Sequence, residues 1–210
     1  MTKLPRSDYF YPNKMGRILL QALEETIGRE GVNATLRLAD LSRYINRYPE
    51  NNLEKKFRFE DLSHIQVGLE NLYGDRSGRG LALRSGRVCF KYGLREFGAV
   101  MGCTDMAFRL LPTQAKLRTG ARLFAQTFNQ FSDQLVRLEE EPTHFLWHID
   151  RCPVCWGRRA DRPVCHLAVG VLQESMYWVS GGKFFHIEET HCIAKGDAAC
   201  TIVVQRQPLD

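Results

Sequence analysis

Glu188-Glu189-Thr190-His191-Cys192-Ile193-Ala194-Lys195-Gly196-Asp197-Ala198-Ala199-Cys200 is the stretch from which the rest of this chain is read. Lys183 to Thr190 and Cys200 to Gln205 are strand-like runs on either side of the turn signal Lys195-Gly196-Asp197, which predicts a hairpin. The same stretch carries two thiols and a carboxylate. Cys152, Cys155 and Cys165 lie just upstream, so five of the seven cysteines fall in the last third of the chain. Thiolates and carboxylates are tetrahedral zinc ligands, so a cluster gathered by a helix and a hairpin reads as a closed metal site.

Working towards the N-terminus, Val164 to Val179 predicts a helix and Cys152-Pro153-Val154-Cys155 a tight turn. Thr143 to Ile149 alternates as a strand does, with Phe145, Trp147 and Ile149 on one face. Thr113 to Glu140 is expected to be one long helix, because Leu117, Ala121, Phe124, Phe128, Phe131 and Leu135 recur at helical spacing. Further helices are expected over Asn13 to Gly28, Ala34 to Tyr44, Phe59 to Gly74 and Gly78 to Met101. The glycines at 78, 80, 86, 93 and 98 read as points of close helix packing rather than a phosphate loop. Helices first and a hairpin last give an α+β class, with N-terminal helices packed on a small antiparallel sheet. The expected organisation is a single domain over 1–210, with a mostly helical part at 1–140 and the metal-bearing part at 143–205.

A length of 210 residues with 44% hydrophobic content is enough to bury a core. No run approaches the roughly 18 to 20 apolar residues of a membrane span, and Met1 to Arg6 lacks the apolar centre of a signal peptide. A cytoplasmic location is expected, and there an odd cysteine count speaks for metal binding or reactivity rather than a disulfide framework. The net charge of +5 is spread along the chain, apart from Lys55-Lys56-Phe57-Arg58 and Arg158-Arg159, so direct nucleic-acid binding is not expected.

The stretch from Cys165 to Cys200 resembles the 4-vinyl reductase domain. A carboxylate stands three residues before one cysteine, another cysteine eight after it, and Cys165 opens a helix with Gly170 five residues on. The resemblance covers about Thr143 to Val204. That family includes bacteriochlorophyll-synthesis proteins, aromatic-sensing domains of bacterial activators and vesicle-tethering subunits. It implies a fold of NO-signalling/Golgi-transport ligand-binding type, and a zinc held by Cys165, Glu189, Cys192 and Cys200, with Glu189 preferred over Glu188. Cys152 and Cys155 depart from the pattern: they can join the metal site, complete a second one, act as a redox pair or be structural. His166 and His191 read as supporting or surface groups, and Cys89 and Cys103 as small buried hydrophobes.

A closed four-ligand metal leaves no position for substrate, and the chain carries no nucleophile elbow, phosphate loop or dinucleotide fingerprint. An enzyme is therefore not the first expectation. The resemblance implies instead a zinc-containing sensor or carrier for an apolar hydrocarbon, aromatic or tetrapyrrole-type small molecule. Phe124, Phe128, Trp147, Tyr177 and Trp178 are the candidate ligand-binding residues. Two alternatives stand beside it: a reductase, or accessory to one, for the vinyl group of a bacteriochlorophyll precursor, and a scaffold that dimerises or adapts a partner protein.

Overall fold

The structure is a computed structural model that describes residues 4–99, 108 and 110–209. Strand β1 (Phe10–Pro12) leads into helix α1 (Asn13–Leu38) and pairs antiparallel with β2 (Lys55–Arg58). Helices α2 (Phe59–Tyr73) and α3 (Asp75–Phe97) follow, joined at Gly74, whose φ of 79° belongs to the left-handed region. Helix α4 (Thr113–Phe131) then gives way to β3 (Leu135–Glu140) and β4 (His144–Arg151). Helix α5 (His166–Ser180), β5 (Phe185–His191) and β6 (Cys200–Pro208) complete the chain. The second sheet has strand order β3-β4-β6-β5, all neighbours antiparallel.

The α+β class is therefore observed, but several element bounds differ from the sequence expectation. Gly28 (φ 72°, ψ 162°) kinks α1 instead of ending it, and the helix resumes to Leu38. The expected helix over Ala34 to Tyr44 stops there, and only a short 3-10 turn follows at Ser42–Tyr44. The expected long helix from Thr113 to Glu140 ends at Phe131. Asp133 is engaged by the β1–β2 ribbon, with its side chain accepting from the Phe10 amide at 2.8 Å and its own amide donating to the Phe10 carbonyl at 3.0 Å. Beyond it, Val136 and Leu138 pair with Ile149 and Trp147 across β4, so their spacing serves a strand face rather than a helix stripe. Met101, where the α3 pattern is expected to end, and Cys103 lie outside the described residues.

Two of the glycines make the tightest helix crossing. A Cβ on Gly86 would run into the Leu167 carbonyl, and one on Gly170 into the Leu83 carbonyl, so α3 and α5 meet backbone to backbone. Gly80 and Gly93 contradict the close-packing expectation: a Cβ at either would meet nothing within 4 Å. The core runs between the helices and the inner sheet face, with Phe57, Phe59, Phe145, Ile149 and Ile202 fully buried. Among the described residues, no helix is long and apolar enough to cross a membrane.

Candidate functional site

Two features meet on β4 and α5: a thiol cluster and an apolar cavity. Cys152 follows β4 directly, Cys165 caps the N-terminus of α5, and Cys192 and Cys200 bracket the β5–β6 turn. The β5 burial pattern turns Phe185, Ile187 and Glu189 inward and leaves Glu188 exposed. Strict alternation would then send Cys192 outward with Glu188. A register shift between Glu189 and His191 breaks the alternation, so Cys192 is buried and His191 exposed. Asp197 holds the turn by accepting from the Cys192 amide at 2.7 Å.

All five sulfurs are buried and close. The Sγ–Sγ separations are 3.5 Å for Cys152–Cys165, 3.4 Å for Cys155–Cys200 and 3.7 Å for Cys165–Cys200. Cys192 lies 3.9 Å from both Cys165 and Cys200. Glu189 accepts from the Cys165 amide at 2.7 Å through one oxygen, while the other is buried without a partner. Burial first, and the Cys192 sulfur next, push its carboxyl up to about 8. The contact with Cys152 raises the Cys155 thiol, but hydrogen bonds from Cys165, Cys192 and Cys200 bring it down to about 6. Cys192, raised by Cys155 and lowered by Cys165 and Cys200, also comes to about 6. Burial holds the Cys165 thiol well above the usual range and the contacts with Cys152 and Cys155 raise that of Cys200, so thiolate at neutral pH is available at Cys155 and Cys192 within a set of donors suited to a thiophilic metal ion.

His166, next to Cys165, belongs to neither of the two sets of four clustered donors among the described residues. Burial, followed by Arg79, Arg158 and Arg162, lowers its imidazole to about 4, so it is neutral near pH 7.

The cavity, of about 120 Å³, lies beside the cluster and shares its elements. Val154, between Cys152 and Cys155, lines it, as do Leu167 and Ala168, just after Cys165. Of the candidate ligand residues, Phe124, Phe128 and Trp147 form one aromatic wall, with ring centroids 5.0 Å apart for Phe124–Phe128 and 5.6 Å for Phe124–Trp147. Trp178 lines a smaller neighbouring void. Tyr177 lines neither: one residue earlier on α5, it is turned about 100° away and packs on Phe184 at the surface, 4.9 Å between centroids. Sequence reasoning missed the α1 and α3 contributions, Met15, Ile18, Cys89, Phe90 and Gly93. Ile18 and Met15 carried a signal, their helical spacing, which a core face shares.

Cys89 is partly accessible from the cavity, yet burial pushes its thiol up to about 12. Against an ordinary cysteine near 8.5, its thiolate at pH 8 is scarcer by about three orders of magnitude. Native protein treated with iodoacetamide is therefore expected to show little modification of the Cys89 peptide at pH 8, and no rise in rate between pH 7 and 10 that levels off. A titration of its reactivity with a midpoint near 8.5 would contradict this environment.

No family model matches the sequence, and no curated protein matches it. Solved structures do. An Fe(II) unliganded H-NOX protein from K. algicida superposes with a TM-score of 0.59 at 10% identity, covering 95% of this chain and 98% of that one. An S. oneidensis H-NOX protein in the Fe(II)NO state gives 0.56 at 12% identity, covering 92% and 99%. A doubly substituted Tt H-NOX protein gives 0.57 at 11% identity, covering 95% and 97%. The fold is that of the H-NOX proteins.

This finding overturns the 4-vinyl reductase resemblance, which no family model supports and whose members are not among these neighbours. With it go the implied zinc cofactor, the zinc-containing sensor or carrier, and the bacteriochlorophyll association. Nothing favours the vinyl-reductase or scaffold alternatives in their place. The neighbours are described with iron, and one H-NOX structure was solved to probe haem distortion. The cysteines remain a candidate metal site on their own geometry alone.

Among the described residues, the cavity lining does not fit a haem. Haem iron takes an axial His, Cys thiolate or Tyr, or a Met together with a His, and Met15 in the described lining has no histidine beside it to act with. All six histidines of the sequence are among the described residues, and none lines the cavity. Cys89 is held protonated, and the Tyr11 hydroxyl, its pKa raised well above the usual value by burial and then by Cys152 and Cys89, donates to Gln134. No Lys or Arg among the described lining residues could meet a propionate.

Proposed function

We propose that this chain is a small-molecule-binding domain of H-NOX fold whose interior takes one apolar ligand, no bulkier than a single aromatic ring, without haem. The observation that carries this reading is the cavity of about 120 Å³, walled by Phe124, Phe128, Trp147 and aliphatic side chains. An apolar protein cavity of about 150 Å³ stays dry and takes benzene or xenon. A tetrapyrrole, with four such rings joined in one plate, is several times too large. Among the polar lining groups, Tyr11 donates to Gln134, and Thr127 donates to the Leu123 carbonyl at 2.9 Å. An apolar guest therefore leaves no hydrogen bond broken.

Gly93 supplies the test. It lines the cavity from near the C-terminal end of α3, and a Cβ there has open space around it. Gly93→Leu is expected to stabilise the free protein by about 1 kcal/mol through helix propensity alone, and to abolish benzene binding by filling the cavity. Benzene should raise the melting temperature of the wild type saturably and leave that of the variant unchanged. Equal shifts in both proteins, or none in the wild type, would overturn the assignment. Added haemin is expected to leave its free spectrum unaltered, and a sharpened, shifted Soret band on mixing would overturn the haem-free part.

A further inference from the structure

We propose that the cysteine cluster is a dinuclear metal centre: two thiophilic divalent ions in edge-sharing tetrahedra, with Cys165 and Cys200 as bridging thiolates. The inference does not depend on what the cavity binds. Two sets of four donors each lie within 4.8 Å of one another: Cys152, Cys155, Cys165, Cys200, and Cys165, Glu189, Cys192, Cys200. They share two members. Together they comprise six residues, five thiols and one carboxylate, which is the number two four-coordinate ions need when two ligands are bridges.

Distances agree with this arrangement. A tetrahedral ion with metal–sulfur bonds of about 2.3 Å sets its sulfurs about 3.8 Å apart. The shared edge, Cys165–Cys200, is 3.7 Å. On one side of it the separations to Cys152 and Cys155 are 3.5 and 3.4 Å. On the other, Cys192 is 3.9 Å from both bridging sulfurs. A single ion would use one set and strand the rest of the donors in the core. Ligation by Cys152, Cys155, Cys165 and Cys200 alone would leave Cys192 unused and one oxygen of the Glu189 carboxylate buried without a partner, which is costly, and ligation by the other set would leave Cys152 and Cys155 unused.

A further observation points to a ligand on the Glu189 half. The second Glu189 oxygen is buried with no hydrogen-bond partner beside the Cys165, Cys192, Cys200 face. Five thiolates and a carboxylate carry six negative charges against four from two divalent ions. Arg158 is 8% exposed and pairs with Glu70 at 2.5 Å through one guanidinium nitrogen while another is buried without a partner, and its charge acts on the His166 ring next to Cys165. The Ile193 amide also donates to the Cys200 sulfur at 3.3 Å, which favours its thiolate form.

Cobalt(II) titrated anaerobically into the reduced, metal-free full chain tests the centre. Thiolate-to-cobalt charge-transfer absorption is expected to saturate at two equivalents, with the magnetic moment per cobalt falling below that of isolated high-spin ions because the bridges couple the spins. The paired substitution of Cys152→Ser with Cys155→Ser should halve the stoichiometry and restore an uncoupled moment, and Glu189→Gln with Cys192→Ser should do the same from the other side. Saturation at one equivalent in the wild type would overturn the proposal. So would two equivalents with uncoupled spins, or a half-site variant that still takes two. The wild-type stoichiometry and coupling decide the matter even where a variant does not fold.

Discussion

Replacing Cys165 with serine is expected to release every metal ion from the cluster and to destabilise the chain by more than about 4 kcal/mol, enough to unfold a domain of ordinary stability. The residue is fully buried, its sulfur lies within 3.9 Å of three other thiols, and its amide is held by Glu189 at the head of α5. In the proposed centre a bridging position has no substitute, since both ions would lose a ligand at once. Cys192→Ser removes a ligand from one ion and should cost less. Denaturant unfolding read by circular dichroism, with native mass spectrometry for the metal, separates the two variants. A Cys165→Ser protein that unfolds at the wild-type denaturant concentration would show that this cluster carries no folding energy.

Gly170→Leu is the second large effect, and it acts through shape alone. The α3–α5 crossing brings Gly170 against the Leu83 backbone and Gly86 against the Leu167 carbonyl, so nothing larger than hydrogen fits without parting the helices. Overpacking in a core costs about 1–3 kcal/mol. Here the clash is with backbone, which cannot rotate away, and a loss at or above the top of that range is expected in denaturant titration. Because Leu167 and Ala168 line the cavity on the same helix, benzene binding should weaken in parallel. A variant as stable as the wild type would mean that α5 can slide along α3 freely.

The contrast between Gly170 and Gly93 shows how far a sequence can be read. Both are helical glycines, and close packing is the expectation for the α3 set. Gly86 meets α5 directly, whereas Gly93 opens onto empty volume. Nothing local distinguishes them, because what a missing side chain makes room for is set by another element. The strand at Leu135–Glu140 escapes sequence reading for a related reason. Leu135 and Leu138 continue the spacing of α4, and only the pairing of Asp133 with the β1–β2 ribbon stops the helix before them. The β1–β2 ribbon itself is too short to leave a periodic trace.

Local signals carried the last third of the chain well. The alternation in β4, the turn at Lys195-Gly196-Asp197 and the helix after Cys165 all correspond to observed elements, since strand and helix periods are written directly in which residues are apolar. The likeness to a named family did not survive, because a short spacing motif can sit on a fold shared more widely than the motif suggests.

By itself, the sequence determined the α+β class, the hairpin and the presence of five neighbouring thiols, all of which depend on residue type and near spacing. Only the tertiary structure decided that the register shift at Thr190 turns Cys192 inward, that two donor sets share Cys165 and Cys200, and that the aromatic wall encloses a space the size of one ring. Those three outcomes depend on distances between segments far apart in the chain, which packing sets and composition does not.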